Sequence, residues 1–271
     1  MSEKIYQDIS FEKDDSLAIL TIQRPQVLNA LRTETKLEIS DALDLAAEDP
    51  QIKGLLITGA GKAFISGSDI SEIGIDRPGT ETAQMSAKTH ELLDRLAALP
   101  KPTMAVINGY ALGGGLELAL ACDLRVCREG ARMGLPEIDL GVLPCYGGTQ
   151  RLPRAIGVGL AKELLFTGRM LESGEALTVG LVNRVFPEET LLEDAKAWMK
   201  TITARSPAAL RYAKICVDQG MELSLKDGLA LESKVAGVLV ETEEARQNVT
   251  AFLEKRKKKQ KEKAARAAGK E

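Results

Sequence analysis

Apolar positions in the first half of the chain alternate between short continuous runs and helical spacing. The continuous runs are bounded by turn residues, which is typical of buried strands. Between them, spacings of three and four predict helices over Thr33–Glu48 and roughly Glu81–Leu99, each followed closely by a proline. This alternation indicates an α/β fold. The predicted strands are Leu17–Ile22, Gly54–Thr58, Thr103–Ile107 and Leu124–Cys127.

Helical spacing dominates the second half of the chain. After Arg151 a single strand-like run remains, at Leu181–Phe186. Three long consecutive helices cannot all cover one small sheet, so we expect a core over residues 1–205 and a separate helical region over residues 206–257. Residues 258–271 are predicted to form a basic, flexible tail. The predicted helices are Gly159–Phe166, Ser173–Gly180, Glu188–Ala204, Pro207–Gly220, Ser224–Val240 and Thr242–Lys257.

Composition places the chain among ordinary soluble globular proteins, since 28% of its 271 residues are charged and 44% are hydrophobic. Asn108 and Glu117 interrupt the most hydrophobic stretch, Thr103–Cys122, so no membrane span is expected. The first residues lack the pattern of a signal or transit peptide. The four cysteines form no C-x-x-C pair and there is one histidine, which argues against a zinc site or a Ser-His-Asp triad. We expect reduced thiols, a cytoplasmic location and no metal.

Charge is unevenly distributed along the chain. The segment Glu254–Glu271 carries nine Lys or Arg and three acidic residues, a net charge of +6. The whole chain carries −3, so the remainder carries −9. The basic end indicates either an anionic ligand near the C-terminus or a solvated helix end. Because the body is acidic and aromatic residues are only 4%, nucleic acid is a poor candidate partner.

The run Asn108–Glu117 joins a predicted strand to a predicted helix through three consecutive glycines. Amides in the first turn of a helix have no partner within the helix, and the helix dipole adds partial positive charge there. Glu117 lies about one turn beyond Gly114, so its carboxylate can share a face with the Gly114 amide. This pairing indicates an oxyanion hole beside a general base. The alternative is a tightly packed turn with a solvated Glu.

Four motifs in order and spacing resemble those of the enoyl-CoA hydratase/isomerase (crotonase) superfamily, over about Leu17 to Lys255. That resemblance implies a spiral of ββα turns with a C-terminal helical trimerisation region, and a homotrimer or a dimer of trimers. It also implies an acyl-CoA thioester substrate, with coenzyme A as part of the substrate and no other cofactor. The motifs are Arg24–Leu31, Gly59–Ile70, Asn108–Glu117 and Met133–Pro144, which continues through Leu152.

The resemblance also implies roles for individual residues. The amides of Ser68 and Gly114 match the oxyanion hole, and Glu117 and Glu137 match the two glutamates of the hydratases. We expect Glu117 to activate water and Glu137 to protonate the substrate α-carbon. The loop Ile73–Ala83, predicted to be mobile, borders the acyl pocket in relatives. The positions that match coenzyme A contacts are Leu28, Ala30, Lys62 and Ser66, with Phe252 and Lys255 supplied by a neighbouring subunit, and those of the acyl pocket are Ile70 and Tyr146.

One segment departs from the family pattern. Common short-chain hydratases have Pro-Gly-Ala-Gly-Gly-Thr where this chain has Pro144-Cys145-Tyr146-Gly147-Gly148-Thr149. Tyr146 either narrows the acyl pocket, recognises a flat acyl group, contributes a hydroxyl, or packs into the core. The expected activity is hydration of a 2-enoyl-CoA. The alternatives are a cyclic dienoyl-CoA hydratase, a ring acyl-CoA hydrolase, a 3,2-enoyl-CoA isomerase, and, from another class, an RNA-binding relative of these enzymes.

Overall fold

The computed structural model describes residues 5–72 and 78–268, with side chains as far as residue 260. Its main sheet has six strands, and the predicted strands of the first half all lie in it. Neighbouring strands are parallel except for the first pair, which is antiparallel. In spatial order the strands are β1 (Ile9–Asp14), β2 (Leu17–Ile22), β3 (Gly54–Gly59), β5 (Thr103–Ile107), β7 (Leu124–Arg128) and β10 (Arg184–Phe186).

A second sheet of four very short strands lies in the same unit. Each central turn of the chain runs from a main-sheet strand to a short strand and then to a helix, which is the predicted spiral of ββα turns. Strands of two or three residues show no readable period, so the sequence did not predict them. In spatial order they are β4 (Ala63–Ile65), β6 (Tyr110–Leu112), β8 (Arg132–Gly134) and β9 (Leu171–Glu172).

Helices cover both faces of the main sheet. On one face, alternate residues of the central strands, including Leu56 and Met104, pack against α7 (Leu191–Thr203). The other face packs in the larger core, together with α1 (Thr33–Glu48) and α2 (Gly79–Ala97). Strands buried on both faces hold the loops that follow them in fixed positions, and those loops carry the predicted motifs. The remaining helices of this unit are α3 (Gly114–Ala121), α4 (Gly148–Ile156), α5 (Val158–Thr167) and α6 (Ser173–Thr178).

The chain forms two compact units, Met1–Thr203 and Ala204–Glu271. The second consists of α8 (Pro207–Gly220), α9 (Leu225–Val240) and α10 (Glu243–Ala268). The predicted end of the last helix at Lys257 is wrong, because α10 continues to Ala268. Residues 258–268 are Lys, Gln, Glu, Arg and Ala, all strong helix formers, and the first helix breaker is Gly269. No helix in the described part of the chain has the length and apolar character needed to cross a membrane.

The predicted mobile loop Ile73–Ala83 lies partly outside the described residues, which omit 73–77. Its last part is helical, since α2 begins at Gly79 rather than at the predicted Glu81. Pro78 immediately precedes the helix with φ −56°, a value that suits a helix start.

Candidate active site

Helix α3 starts in the glycine-rich run, and all of its residues are buried. Gly113, which precedes it, has φ 51° and ψ −127°, and a Cβ there would lie 2.9 Å from Oε1 of Glu137. A Cβ on Gly115 would lie 2.2 Å from the carbonyl oxygen of Ile65 in β4. Only glycine permits both approaches. The start of α3 is therefore held against the second sheet and beside Glu137.

Glu117 is a buried carboxyl on this helix, with 1% of its surface exposed. Its Oε1 accepts hydrogen bonds from the backbone amides of Tyr146, at 2.8 Å, and Gly148, at 2.7 Å. Burial, together with the nearby charge of Glu137, raises the pKa of Glu117 to about 7, against the lowering effect of those amides. A carboxyl group that titrates near neutral pH is suited to general acid–base chemistry.

Glu137 approaches the same place from a short 3₁₀ helix, Pro136–Leu140. Its Oε2 atom is buried and has no hydrogen-bond partner among the described residues. Burial raises the pKa of this carboxyl as well. A buried polar atom without a partner is costly, so its presence indicates a group that is completed by a ligand or by water.

The two residues predicted for the oxyanion hole, Ser68 and Gly114, lie next to each other. A Cβ on Gly114 would lie 3.4 Å from Oγ of Ser68. The parallel bridge between Leu31 and Ser68 uses the amides of Leu31 and Asp69, which leaves the Ser68 amide outside it. Gly114 is the first residue of α3, where the amide has no partner in the helix. Neither amide donates a hydrogen bond within the described part of the chain.

These groups surround one cavity of about 800 Å³. It brings together the predicted catalytic, oxyanion-hole and acyl-pocket residues, and Ser66 as well. Most of the other lining side chains are apolar, as is usual in sites that bind small molecules. The predicted residues along the cavity are Ser66, Ser68, Ile70, Gly114, Glu117, Glu137 and Tyr146.

Two asparagines that the sequence analysis did not assign hold the loop after β3. The Asn29 amide donates to the carbonyl oxygens of Ala60 and Ala63, at 2.9 and 2.8 Å. Asn108 donates to the carbonyl of Gly61 at 2.9 Å and accepts from the amide of Gly59 at 3.2 Å. Both asparagines lie inside the recognised motifs. Their role could not be predicted, because a hydrogen bond to loop carbonyls leaves no periodic pattern in the sequence. They fix the loop that leads to Ser68.

Tyr146 belongs to both the core and the cavity. It is 7% exposed, lies in the main hydrophobic cluster and also lines the cavity. A Cβ on Gly114 would lie 3.0 Å from its Cδ2 atom, so the ring packs directly against the start of α3. No residue in the described ranges hydrogen-bonds to its hydroxyl. Of the predicted alternatives, core packing and pocket lining therefore both apply.

Cys145 lies beside Tyr146 and also borders the cavity. Desolvation, followed by the charges of Glu117 and Glu137, raises the pKa of its thiol to about 11. The thiol is therefore protonated at neutral pH, when only a thiolate is strongly nucleophilic. Cys145 is therefore poorly suited to act as a nucleophile.

Lys36 is a cavity residue that the sequence analysis missed. It lies on α1, and the helical pattern there assigned it no role. The structure instead places it along the cavity wall, half-buried, with Nζ 5.1 Å from the centre of the Tyr146 ring. A contact between a helix and a loop more than a hundred residues later has no signature in the local pattern.

Comparison with known proteins decides the family. A family model described as enoyl-CoA hydratase/isomerase matches residues 12–263. The chain belongs to this family. It is 40% identical to the crotonyl-CoA hydratase of Syntrophomonas wolfei, over 93% of this chain and 97% of that protein. It is 39% identical to the short-chain-enoyl-CoA hydratase of Clostridium acetobutylicum, over 92% and 96%. The crystal structure of enoyl-CoA hydratase from Bacillus anthracis matches with a TM-score of 0.87 at 36% identity, over 92% and 97%.

The remaining predicted coenzyme A residues of this enoyl-CoA hydratase/isomerase family member do not line the cavity. Leu28 is partly exposed and accepts a hydrogen bond from the Ser66 amide through its carbonyl, at 3.0 Å. Ala30 is buried and Lys62 is exposed. Phe252 and Lys255 lie on α10 in the second unit, where both side chains are exposed. Their predicted role stays a prediction.

Proposed function

We propose that this enoyl-CoA hydratase/isomerase family member is an enoyl-CoA hydratase, which adds water reversibly across the 2,3 double bond of a 2-enoyl-CoA. The proposal rests on one observation: a single cavity is lined by two carboxyl groups, Glu117 and Glu137, and by the residues whose backbone amides are free, Ser68 and Gly114. The relatives named as crotonyl-CoA and short-chain-enoyl-CoA hydratases support the same activity.

In this proposal the amides of Ser68 and Gly114 donate to the thioester oxygen. Addition of water to a 2-enoyl thioester develops negative charge on that oxygen as an enolate-like state forms. Backbone donors held by a helix start and a bridged loop need little reorganisation as the charge develops. Removing one such donor typically costs about 3 to 4 kcal/mol of transition-state stabilisation. The oxyanion hole therefore activates the double bond by stabilising the negative charge on the thioester oxygen.

The two carboxyl groups divide the proton transfers. Glu117 takes a proton from the water whose oxygen bonds to C3, and Glu137 gives a proton to C2. The reaction requires one carboxylate and one carboxylic acid, and two buried carboxyls whose charges repel each other favour that state. The observed titration will belong to the pair rather than to either residue. Hydration involves no net oxidation or reduction, so we propose no cofactor beyond the coenzyme A of the substrate.

We propose a homotrimer or a dimer of trimers, in which α10 of a neighbouring subunit completes the coenzyme A site. Support comes from α8 and α9, which contain no buried residue in the single chain although they carry large apolar side chains. Exposed apolar surface of this kind is typical of protein interfaces. We also propose a cytoplasmic location, because all four cysteines are free thiols.

Initial rates on three substrate classes test the proposed activity. Crotonyl-CoA, a 3-enoyl-CoA and a cyclic dienoyl-CoA are compared for hydration and isomerisation at matched concentrations. We expect hydration of the linear 2-enoyl thioester to be the fastest reaction, and Glu137→Gln to lower its kcat by at least about 100-fold. Faster isomerisation of the 3-enoyl substrate, or Glu137→Gln with more than about half of the wild-type rate, would reject the two-glutamate hydratase.

A further inference from the structure

A cationic side chain, Lys36, lines the same cavity as the catalytic carboxyls. Lys36 is half-buried, and its Nζ lies 3.5 Å from Oγ1 of Thr89. The Thr89 hydroxyl donates to the carbonyl of Met85 at 3.0 Å, so it meets Lys36 as an acceptor. The other neighbour of Nζ is the face of the Tyr146 ring. Both neighbours are neutral groups.

Among the residues that the structure describes, Lys36 has no carboxylate partner. The salt bridges found among the described residues do not include it, although acidic side chains lie along the same cavity. Asp69 is paired with Arg24 at 2.9 Å, and Glu72 accepts from the amide and hydroxyl of Thr33, both at 2.7 Å. Lys36 is the one cation among the described residues that line the cavity. A cation in a largely apolar wall is most stable when an anion neutralises it.

The Tyr146 ring lies between Lys36 and one of the oxyanion-hole residues. The Tyr146 ring has Gly114 against its edge and Lys36 over its face. An acyl group whose carbonyl is bound at Gly114 would therefore reach Lys36 by passing along the Tyr146 ring. In that arrangement Lys36 would meet the far end of the acyl chain.

We propose that Lys36 determines acyl specificity by binding a carboxylate at the distal end of the substrate, so that the enzyme prefers dicarboxylic 2-enoyl-CoA esters. The inference rests on the proposed hydratase function. A charge-assisted hydrogen bond from Lys36 to the terminal carboxylate replaces its weak contact with Thr89. The aliphatic part of the chain lies along Tyr146. A chain that ends in a methyl group leaves the ammonium without a partner.

Two substrates that differ only at the terminal group test this inference. We compare 2-hexenedioyl-CoA with 2-hexenoyl-CoA for the wild type and for Lys36→Met, which keeps an unbranched side chain and removes the charge. In Lys36→Met we expect kcat/KM for the dicarboxylic ester to fall about ten- to a hundredfold below the wild-type value. We expect kcat/KM for 2-hexenoyl-CoA to stay the same or rise. Lys36→Arg should keep most of the preference. Lys88→Met is the matched control, since this lysine is exposed on α2 and does not line the cavity.

Binding of the saturated esters separates this inference from the proposed activity. Calorimetric titration with hexanedioyl-CoA and hexanoyl-CoA reports the contact with Lys36 without any turnover. A selective loss of hexanedioyl-CoA affinity in Lys36→Met supports the inference even if neither unsaturated ester is hydrated, a result that would reject only the hydratase. Equal changes for both esters, or no change in an intact Lys36→Met protein, would overturn the role of Lys36. A wild type that prefers the methyl-terminated ester in both assays would also overturn it.

Discussion

Replacing Glu117 by Gln should inactivate the enzyme and stabilise the fold at the same time. The folded protein holds this carboxyl at 1% exposure and raises its pKa from 4.5 to about 7. Because the folded pKa lies above the unfolded one, folding favours the protonated acid. The stability that this group contributes is fully present below about pH 4.5 and is lost as the pH rises through about 7. Gln stays neutral throughout this range.

The expected gain follows from the size of the shift. One pKa unit corresponds to about 1.4 kcal/mol, so ionisation of Glu117 costs the folded state at most roughly 3 kcal/mol above neutral pH. The carbonyl oxygen of a Gln side chain can still accept from the amides of Tyr146 and Gly148, so the local geometry should persist. For a chain of this size the gain corresponds to an increase in Tm of roughly 5 to 10 °C.

Thermal unfolding at about pH 5 and about pH 8 measures this effect, together with the rate on crotonyl-CoA. We expect Glu117→Gln to have the higher Tm at the higher pH, a much smaller difference at the lower pH, and a kcat at least about 100-fold below wild type. Glu38→Gln is the control. Glu38 is also buried and accepts two backbone amides, at 2.6 and 2.8 Å, but it lies outside the cavity. It should show neither the gain in Tm nor the loss of rate.

The result that refutes this reasoning is a Glu117→Gln protein that is less stable than wild type at the higher pH. In that case the two amide hydrogen bonds to the carboxylate would outweigh its desolvation, and the pKa of Glu117 would lie below its usual range. A variant with normal activity would separately reject the assignment of Glu117 as the base.

Three further outcomes follow from the same site. The wild-type kcat/KM should follow a bell-shaped pH profile, rising as the Glu117–Glu137 pair loses its first proton and falling as it loses the second, which a pH–rate profile measures. Tyr146→Ala should lose about 3 kcal/mol of stability in urea unfolding and also shift kcat/KM among linear enoyl-CoAs by roughly tenfold or more, and an unchanged substrate ratio would reject its pocket role. Truncation before Phe252 should raise KM more than it lowers kcat, whereas removal of 264–271 should change little, and a fully active monomer by light scattering would reject the shared site.

The regular elements could be predicted because their residues are buried in a periodic way. Helix α1 has the predicted limits, and β2 and β5 also match, since a strand buried on both faces gives a continuous apolar run. The short strands of the second sheet could not be found in this way. Their pairing depends on where the main sheet places successive loops, and three residues such as Ala63–Ile65 carry too little pattern. Likewise, the basic residues after Lys257 show no apolar period, so the sequence did not predict that α10 continues to Ala268.

The site could be located from motifs but not completed from them. The glycine-rich run and Glu117 were identified from the chemistry of their residue types, whereas Glu137 was assigned through the family resemblance. Asn29, Asn108 and Lys36 act through contacts with residues distant in sequence, so no local spacing reveals them. The raised pKa of Glu117 also required the structure, because its largest cause is burial and burial is not a property of the motif.

Tyr146 connects three parts of the site that are usually considered separately. Its backbone amide holds the Glu117 carboxylate, its ring edge packs on Gly114, and its ring face meets Lys36. Side-chain truncation leaves the first contact in place but removes the other two, so a change in acyl preference after Tyr146→Ala could come from added space or from a displaced Lys36. Lys36→Met in the Tyr146→Ala background resolves this, because the two effects on specificity add only if the residues act independently. Since Nζ lies 5.1 Å from the ring centre, we expect them not to add.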